Sequence, residues 1–335
     1  MPDALESTFR PRRLSEVASR YGLTLVGEDR EVVTAGPIDS RSAHRDRLLT
    51  FVTAAAWLER FATGDVAAAI VPEALAAAGA PDGRTLLTTT GDAEAAFYGL
   101  LADSADAGEW TTLTSARGDG AVVHPHATVE DGVQLGAGCT VMAGAVLLAN
   151  TRLGDRVVVK PNATLGGEGF QIREIHGRRR IVPHTGGVDV RDDAAIGSST
   201  CVDRGLFGDF TTVHAGAHVD NLVHVAHNVV IGPQAAVVAC AEVSGSVTLG
   251  EGAWIGPNAA INPSLHLGDW SYVGTGATVV RDVPAHALVY GSPANLGGWM
   301  CRCRTKLTIA DGEAAACPRC GRRYRLDGLV LRELT

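Results

Sequence analysis

The chain has 335 residues, a formal net charge of −8 at pH 7, 46% hydrophobic residues and only 5% aromatic residues. This length predicts one to three domains. The acidic balance argues against a nucleic-acid partner, and no apolar run reaches membrane-spanning length. Residues 1–13 lack the apolar core of a signal peptide. We therefore expect a cytoplasmic protein whose seven cysteines are reduced.

Residues 1–118 are predicted to form a small α/β domain. The apolar patterns in this region predict helices at 14–21, 54–61 and 92–101, and strands at 48–52 and 67–71. The first helix is expected to end at Gly22. The segment Gly118-Asp119-Gly120 marks the predicted domain boundary.

A six-residue repeat of aliphatic residues dominates the rest of the chain. Every sixth residue from Val123 to Leu165, and again from Val213 to Val279, is Val, Leu or Ile. This period is typical of a parallel β-helix, in which each hexad supplies one short strand and one turn. The glycine that often follows the aliphatic residue is expected to let the chain turn. Residues 119–294 are therefore predicted to form a β-helix of three hexads per coil, in which residues 18 apart are vertical neighbours.

The repeat is interrupted at two places. An insert spans residues 168–187 and carries four arginines: Arg173, Arg178, Arg179 and Arg180. The spacing from Val202 to Val213 is eleven residues instead of twelve. A loop that leaves a coil cannot be core, and such loops often carry function. A solvated charged loop is the alternative.

The tail, residues 295–335, contains two close cysteine pairs: Cys301 with Cys303, and Cys317 with Cys320. Four thiolates at such spacings can surround one tetrahedral Zn²⁺. A tail this short has too little hydrophobic core to fold without a cross-link such as a metal or disulfide, so we predict a structural zinc. A reduced or disulfide-paired tail is the alternative. The remaining cysteines are expected to be small packing residues: Cys139, Cys201 and Cys240.

Four histidines lie within fourteen residues: His214, His218, His224 and His227. A lone histidine on a coil face is more often a satisfied surface residue, but clustering favours function. Gly245 lies one coil above His227, where it leaves room for a ligand and offers a backbone N–H. An imidazole takes up a proton near neutral pH, as a general base must. A γ-carbonic-anhydrase-like metal site is disfavoured, because the histidine spacing differs and a third ligand is missing.

Two motifs carry a family resemblance: Val-Ala-His-Asn-Val-Val-Ile-Gly at 225–232 and Cys-Val-Asp-Arg-Gly at 201–205. They resemble the UDP-3-O-(3-hydroxyacyl)glucosamine N-acyltransferases of lipid A biosynthesis. The resemblance covers about residues 14–294 and includes Gly-Glu-Gly-Phe at 167–170 and Leu-Thr-Phe-Val at 49–52. The sister O-acyltransferases carry Asp where Asn228 stands.

The resemblance implies a left-handed parallel β-helix that assembles as a homotrimer, with active sites between subunits and no permanently bound organic cofactor. The donor would be an acyl carrier protein thioester, and the acceptor the amine of an amino sugar or nucleotide-linked amino sugar. The implied catalytic residues are His227 as general base, Asn228 beside it, and Gly245, whose main chain faces the thioester. The implied substrate-binding residues are Asp220, His224, Ser264, His266, Phe51 and Trp57.

The sequence departs from the family pattern at three places. Ser264 stands where the family has a second histidine, with His266 two residues further on. Ala54 replaces the uracil-binding asparagine, so Phe51 and Trp57 supply only stacking and weaker UDP binding is expected. The cysteine-rich tail replaces terminal helices and resembles the zinc-ribbon extensions of some sugar-nucleotide N-acetyltransferases.

These departures leave several interpretations open. The first is an N-acyltransferase that uses a carrier protein. An acetyl-coenzyme A-dependent N-acetyltransferase and a non-catalytic β-helix scaffold are the alternatives. The tail carries eight Arg or Lys against four Asp or Glu, so it either docks an acidic carrier protein or caps the trimer.

Overall fold

The structure is a computed structural model that describes residues 5–77 and 79–334. Residues 1–4, 78 and 335, which fall in the predicted N-terminal domain and tail, lie outside the described residues. The chain packs as two compact units. The N-terminal unit comprises the described residues up to Thr112, together with Glu168–Gly187 and Gly205–Phe210. The second unit, Leu113–Gly167, Val188–Arg204 and the described residues from Thr211 onward, contains the coils and the tail.

The N-terminal unit is built on a five-stranded sheet. The strands follow the order Thr24–Val26, Thr85–Thr89, Ala68–Pro72, Leu48–Phe51 and Thr34–Ala35, and only the first pair is antiparallel. A second, two-stranded sheet pairs Arg12–Arg13 with Glu31–Val32. The helices are α1 (Leu14–Tyr21), α2 (Ala55–Thr63) and α3 (Ala93–Asp106), with 3₁₀ turns at Arg45–Arg47 and Glu73–Leu75.

All three predicted helices are therefore present. Gly22 ends α1 in the left-handed conformation, with φ 63°. Asp92 caps α3 by accepting hydrogen bonds from two backbone N–H groups. Within the described residues, no helix is long and apolar enough to cross a membrane.

The arginine-rich insert forms a β-hairpin that belongs to the N-terminal unit. Its strands are Ile172–Ile175 and Arg178–Ile181. Ile175 and Val182 are fully buried in the N-terminal core, so the expectation that the insert cannot be core was wrong. Its polar residues contact α3: Arg173 Nε lies 3.0 Å from Glu94 and His176 Nε2 3.0 Å from Asp103. The hairpin is thus a structural part of the unit that it packs on.

The second unit is a stack of coils with three flat faces, named A, B and C. Face A contains Ala116–Arg117, Gln134–Leu135, Thr151–Leu153, Gly187–Val190, Phe210–Val213, Val230–Ile231, Thr248–Leu249 and His266–Leu267. Face B contains Val122–Val123, Thr140–Val141, Val158–Val159, Ala195–Ile196, His218–Val219, Ala236–Val237, Trp254–Ile255, Tyr272–Val273, Ala287–Gly291, Ala294–Met300 and Lys306–Leu307. Face C contains Thr128–Val129, Val146–Leu147, Thr164–Gly167, Cys201–Asp203, His224–Val225, Glu242–Val243, Ala260–Ile261 and Thr278–Val279.

The register confirms that residues 18 apart are neighbours in uninterrupted coils. His224 pairs with Glu242, and Val225 with Val243, in parallel strands. From Leu135 onward, the aliphatic residue of each uninterrupted hexad is buried in one continuous core, whereas Val123 is partly buried and Val129 is exposed. A separate six-residue period sets the corners: Leu222, Asn228, Gln234, Cys240, Ser246, Asn258, Ser264 and Trp270 all have φ between 55° and 63°.

The glycines after the aliphatic residues have a different role from the predicted one. Gly232 and Gly250 do not occupy the left-handed region. A Cβ added to Gly232 would lie 2.6 Å from backbone atoms of the next coil. These glycines therefore permit close stacking of the coils, and the corner residues make the turns.

The tail forms a small ribbon on the last coils. A three-stranded antiparallel sheet comprises Ala314–Ala316, Arg323–Asp327 and Val330–Leu334. Tyr324, fully buried, and Leu326 join the core of the coils. Two arginines beside the cysteines lie over face B tryptophans: Arg302 over Trp270 at 5.1 Å and Arg304 over Trp254 at 4.0 Å. The ribbon is therefore fixed to the coil stack by both apolar and cation–π contacts.

Candidate active site

The corner between faces C and A brings together four of the predicted site residues: His227, Asn228, Gly245 and Ser264. His227, Gly245 and Ser264 occupy this corner in three successive coils. The Ser246 N–H donates to the His227 carbonyl at 2.9 Å, and the Ser264 N–H donates to the Gly245 carbonyl at 2.9 Å. Ser264 is exposed at the position predicted for the second histidine.

Glycine is needed at position 245 because a side chain there would clash with its neighbours, and not because of its backbone conformation. Its φ lies outside the left-handed region, and Ser246 makes the turn instead, with φ 63°. A Cβ at position 245 would lie 2.7 Å from both Cε1 and Nε2 of His227. The equivalent positions of the two neighbouring coils, His227 and Pro263, both carry a side chain. The missing side chain at Gly245 thus accommodates the His227 ring.

Asn228 determines which ring nitrogen of His227 carries the hydrogen. Nδ1 of His227 lies 2.9 Å from Oδ1 of Asn228. An amide oxygen only accepts hydrogen bonds, so Nδ1 carries the hydrogen of the neutral ring and Nε2 is its basic nitrogen. Asn228 adopts φ 60°, which asparagine tolerates well, and its N–H donates to Thr211 Oγ1 at 2.9 Å. The arrangement holds Nε2 beside the Gly245 backbone.

His224 lies on face C beside two carboxylates. Its Nε2 is 3.0 Å from Oδ2 of Asp203, and Glu242 is its register partner in the next coil. The hydrogen bond that His224 donates to Asp203 raises the pKa of His224, and burial partly opposes this shift. The raised pKa stabilises the protonated folded form below the unfolded-state pKa, and this contribution is lost as pH rises through the folded-state pKa. The His224 side chain is 46% exposed, so solvent screening keeps the contribution below about 1 kcal/mol.

Replacing Asp203 by Asn is expected to lower the pKa of His224 toward that of a free imidazole, because the charged acceptor is removed. An NMR titration of the histidine ring protons measures the shift. Glu242→Gln is the matched control and should have a smaller effect, since Glu242 acts only through space. An unchanged His224 titration in Asp203→Asn would contradict the assignment.

Two other predicted residues of the coil stack lie away from the His227 corner. Asp220 is at the corner between faces B and C, where its carboxylate accepts the Ala239 N–H at 3.3 Å. His266 lies on face A, and its N–H donates to Asp282 at 2.8 Å. His266 therefore projects from a different face than Ser264 and does not occupy the corner.

Asp203 and Glu242 were not predicted from the sequence as neighbours of His224. Glu242 could have been found with the 18-residue spacing. Asp203 could not, because the coil between it and His224 is irregular and the two residues are 21 apart. The cysteine prediction was also partly wrong: Cys139 is buried as expected, but Cys201 and Cys240 are exposed.

The predicted nucleotide-binding aromatics lie in the N-terminal unit. The Phe51 ring is partly buried, 4.9 Å from Phe97 and 5.8 Å from Tyr98. Trp57 is 45% exposed on α2, with Arg60 over its ring at 5.2 Å. Ala54 is the N-cap of α2 and supplies no side-chain hydrogen bond. Phe51 is thus packed in an aromatic cluster, and Trp57 is an exposed ring with Arg60 over one face.

The four tail cysteines form one compact cluster. The Sγ atoms of Cys301, Cys303, Cys317 and Cys320 all lie within 4.8 Å of one another. A tetrahedral zinc with bonds of about 2.3 Å separates its sulfur ligands by about 3.8 Å; here two sulfur pairs are 3.5 Å apart and all pairs lie within 4.8 Å. Tyr324 Oη and Arg322 Nη1 lie 3.3 and 3.4 Å from cluster sulfurs and supply outer hydrogen bonds. The donor set therefore fits a closed structural metal site.

Comparisons with known proteins agree with this description. The bacterial transferase hexapeptide (six repeats) family matches residues 132–167 and 246–281. The UDP-3-O-acylglucosamine N-acyltransferase of Anaeromyxobacter dehalogenans is 36% identical over 131 residues, which cover 37% of each chain. That of Pseudomonas fluorescens is 38% identical over 113 residues, covering 34% of this chain and 32% of the relative. The chain thus spans about a third of the length of these relatives.

Among solved structures, the UDP-N-acetylglucosamine O-acyltransferase of Moraxella catarrhalis matches with a TM-score of 0.50 and 21% identity. The match covers 56% of this chain and 70% of that one, and it confirms the fold. The repeat and the coil stack define a left-handed parallel β-helix of the hexapeptide-repeat class. The predicted resemblance to the UDP-3-O-acylglucosamine N-acyltransferases is confirmed over the matched region.

Proposed function

We propose that the protein is an N-acyltransferase that moves an acyl group from a carrier-protein thioester to the amine of an amino sugar or nucleotide-linked amino sugar. The main support for this proposal is the position of the His227 ring, which is oriented by Asn228 and packed against the backbone of Gly245. The names of the similar curated proteins support the reaction class. The proposal includes the homotrimer that the family resemblance implies.

The proposed chemistry needs one base and one oxyanion donor. The amine nitrogen attacks the thioester carbonyl carbon, and Nε2 of His227 takes the proton that the amine loses. The oxyanion of the tetrahedral intermediate accepts a hydrogen bond from the Gly245 N–H. Within the described part of the chain, this N–H has no acceptor of its own. The C–S bond then breaks, and the thiol leaves with the proton held by His227.

The donor and the reaction are tested together. The purified protein is incubated with an amino-sugar panel and either a carrier-protein thioester or acetyl-coenzyme A, and mass spectrometry detects the amide. Amide formation from the carrier thioester, but not from acetyl-coenzyme A, supports the proposal. Efficient transfer from acetyl-coenzyme A would favour the N-acetyltransferase alternative. No amide with either donor would favour the scaffold alternative.

We also propose that the tail cysteines hold one structural zinc. Cys317→Ser combined with Cys320→Ser should reduce the zinc content from about one per chain to nearly none, because two of four ligands are lost. Elemental analysis of the purified protein measures this. Cys240→Ser, an exposed cysteine outside the cluster, is the control and should keep its zinc. If the purified wild-type protein contained no zinc, the proposal would be contradicted.

A further inference from the structure

The outer face of the ribbon sheet combines basic and apolar residues. Directly paired residues of antiparallel strands share a face, and alternate residues of one strand point to opposite faces. Tyr324, Leu326 and Leu331 are buried on the inner face. The outer face, here called the ribbon face, therefore carries Arg323, Arg325, Asp327, Val330, Arg332 and Leu334.

The charges of the ribbon face are incompletely balanced within the protein. Arg325 lies 3.1 Å from Asp327 but is also the direct register partner of Arg332. Like charges placed directly opposite each other destabilise a sheet. Among the described residues, neither Arg323 nor Arg332 has a carboxylate within 4.0 Å. A local arrangement that costs stability is typical of a functional surface.

Four other tail cations, all arginines, are engaged in holding the ribbon together. Arg302 and Arg322 lie 3.1 and 3.4 Å from Glu333, and Arg304 stacks on Trp254. Arg319 donates to the Cys303 carbonyl at 3.3 Å. Arg323 and Arg332 remain as cations that an external acidic partner can pair without disturbing the ribbon.

The ribbon begins close to the level of the His227 corner. Trp254, which carries Arg304, follows His227 by 27 residues, or one and a half coils of 18. At about 4.8 Å per coil this is about 7 Å along the axis. Arg304, where the tail attaches to face B, is therefore close to the His227 corner along the axis, while face B itself lies across the coil from that corner.

We infer that the ribbon face docks an acidic protein that carries the acyl group as a thioester. This inference rests on the proposed function and names the surface that recognises its donor. The tail has eight Arg or Lys and four Asp or Glu, whereas the whole chain has a net charge of −8. Val330, 49% exposed, adds an apolar contact beside the arginines. The acidic remainder of the chain disfavours a nucleic acid as the occupant.

Charge reversal on the ribbon face tests the inference. Arg323→Glu with Arg332→Glu should raise the KM for a carrier-protein thioester about tenfold at low ionic strength. The KM for a pantetheine thioester should stay unchanged, and the difference should shrink at about 0.5 M salt. The control is Arg178→Glu with Arg179→Glu, which makes the same charge change at exposed arginines of the insert hairpin. Zinc analysis confirms that the ribbon is intact.

Direct binding separates this inference from the proposed reaction. Fluorescence anisotropy measures the binding of a labelled acidic acyl carrier protein and of a labelled double-stranded oligonucleotide to both variants. Carrier binding that is weakened only by the ribbon variant supports docking, even if no amine is acylated. Unchanged carrier binding, equal effects on both thioesters, or tighter binding of the oligonucleotide would each overturn it.

Discussion

His227→Ala is expected to reduce turnover about 10²- to 10⁴-fold, because it removes the proposed general base for the amine proton. The KM for the donor should change little, since the ring is placed to act on the attacking nitrogen. Steady-state kinetics with a carrier thioester and the best amine measure the effect. Size-exclusion chromatography with light scattering checks that the assembly is retained.

His214→Ala is the matched control, because His214 lies at the corner between faces A and B. It should retain most of the activity. Near-normal turnover of His227→Ala would refute the catalytic assignment. If His266→Ala were the inactive variant instead, the reaction would take place on face A and not at the His227 corner.

Gly245→Ala is expected to reduce turnover at least tenfold. The loss should not exceed that expected for His227→Ala. A methyl group at this position would lie 2.7 Å from Cε1 and Nε2 of His227, so the ring must move away from its present position. The backbone itself tolerates Ala, since φ is not in the left-handed region. The effect should therefore appear in kcat and not in the stability of the coil stack.

Two comparisons separate ring displacement from misfolding. Ser246→Ala, the next residue in the same corner, should retain most of the activity. The double variant with His227→Ala and Gly245→Ala should be no slower than His227→Ala alone, because both changes remove the same group. Additive losses in the double variant would contradict the role assigned to Gly245.

The repeat made the coil stack predictable from sequence, because one buried aliphatic residue per hexad is a strict requirement of the fold. The insert hairpin was not predictable in the same way. Its Ile175 and Val182 are core residues of the N-terminal unit, and no periodic signal links them to a segment so distant in the chain. The strand Thr85–Thr89 was missed for a related reason, since only its neighbours in the sheet explain its burial.

The site was predictable where the coil is regular. The 18-residue spacing correctly brought Gly245 to His227, but the reason for the glycine emerged only from the position of the ring. Asp203 could not be assigned to His224, because the irregular coil between them shifts the register from 18 to 23 residues and pairs His224 with Cys201. The four-cysteine cluster could be predicted from the two close cysteine pairs alone, without knowledge of long-range contacts.

The pH dependence of kcat/KM for amide formation, compared between wild type and His227→Ala, tests the central claim most directly. Both enzymes use the same amine, so the ionisation of the amine affects both rates equally and cancels in their ratio. The ratio therefore reports only on the side chain that the substitution removes. If His227 is the base, the ratio should fall toward one as the pH is lowered, because a protonated ring cannot accept the amine proton. A ratio that is independent of pH would contradict the account.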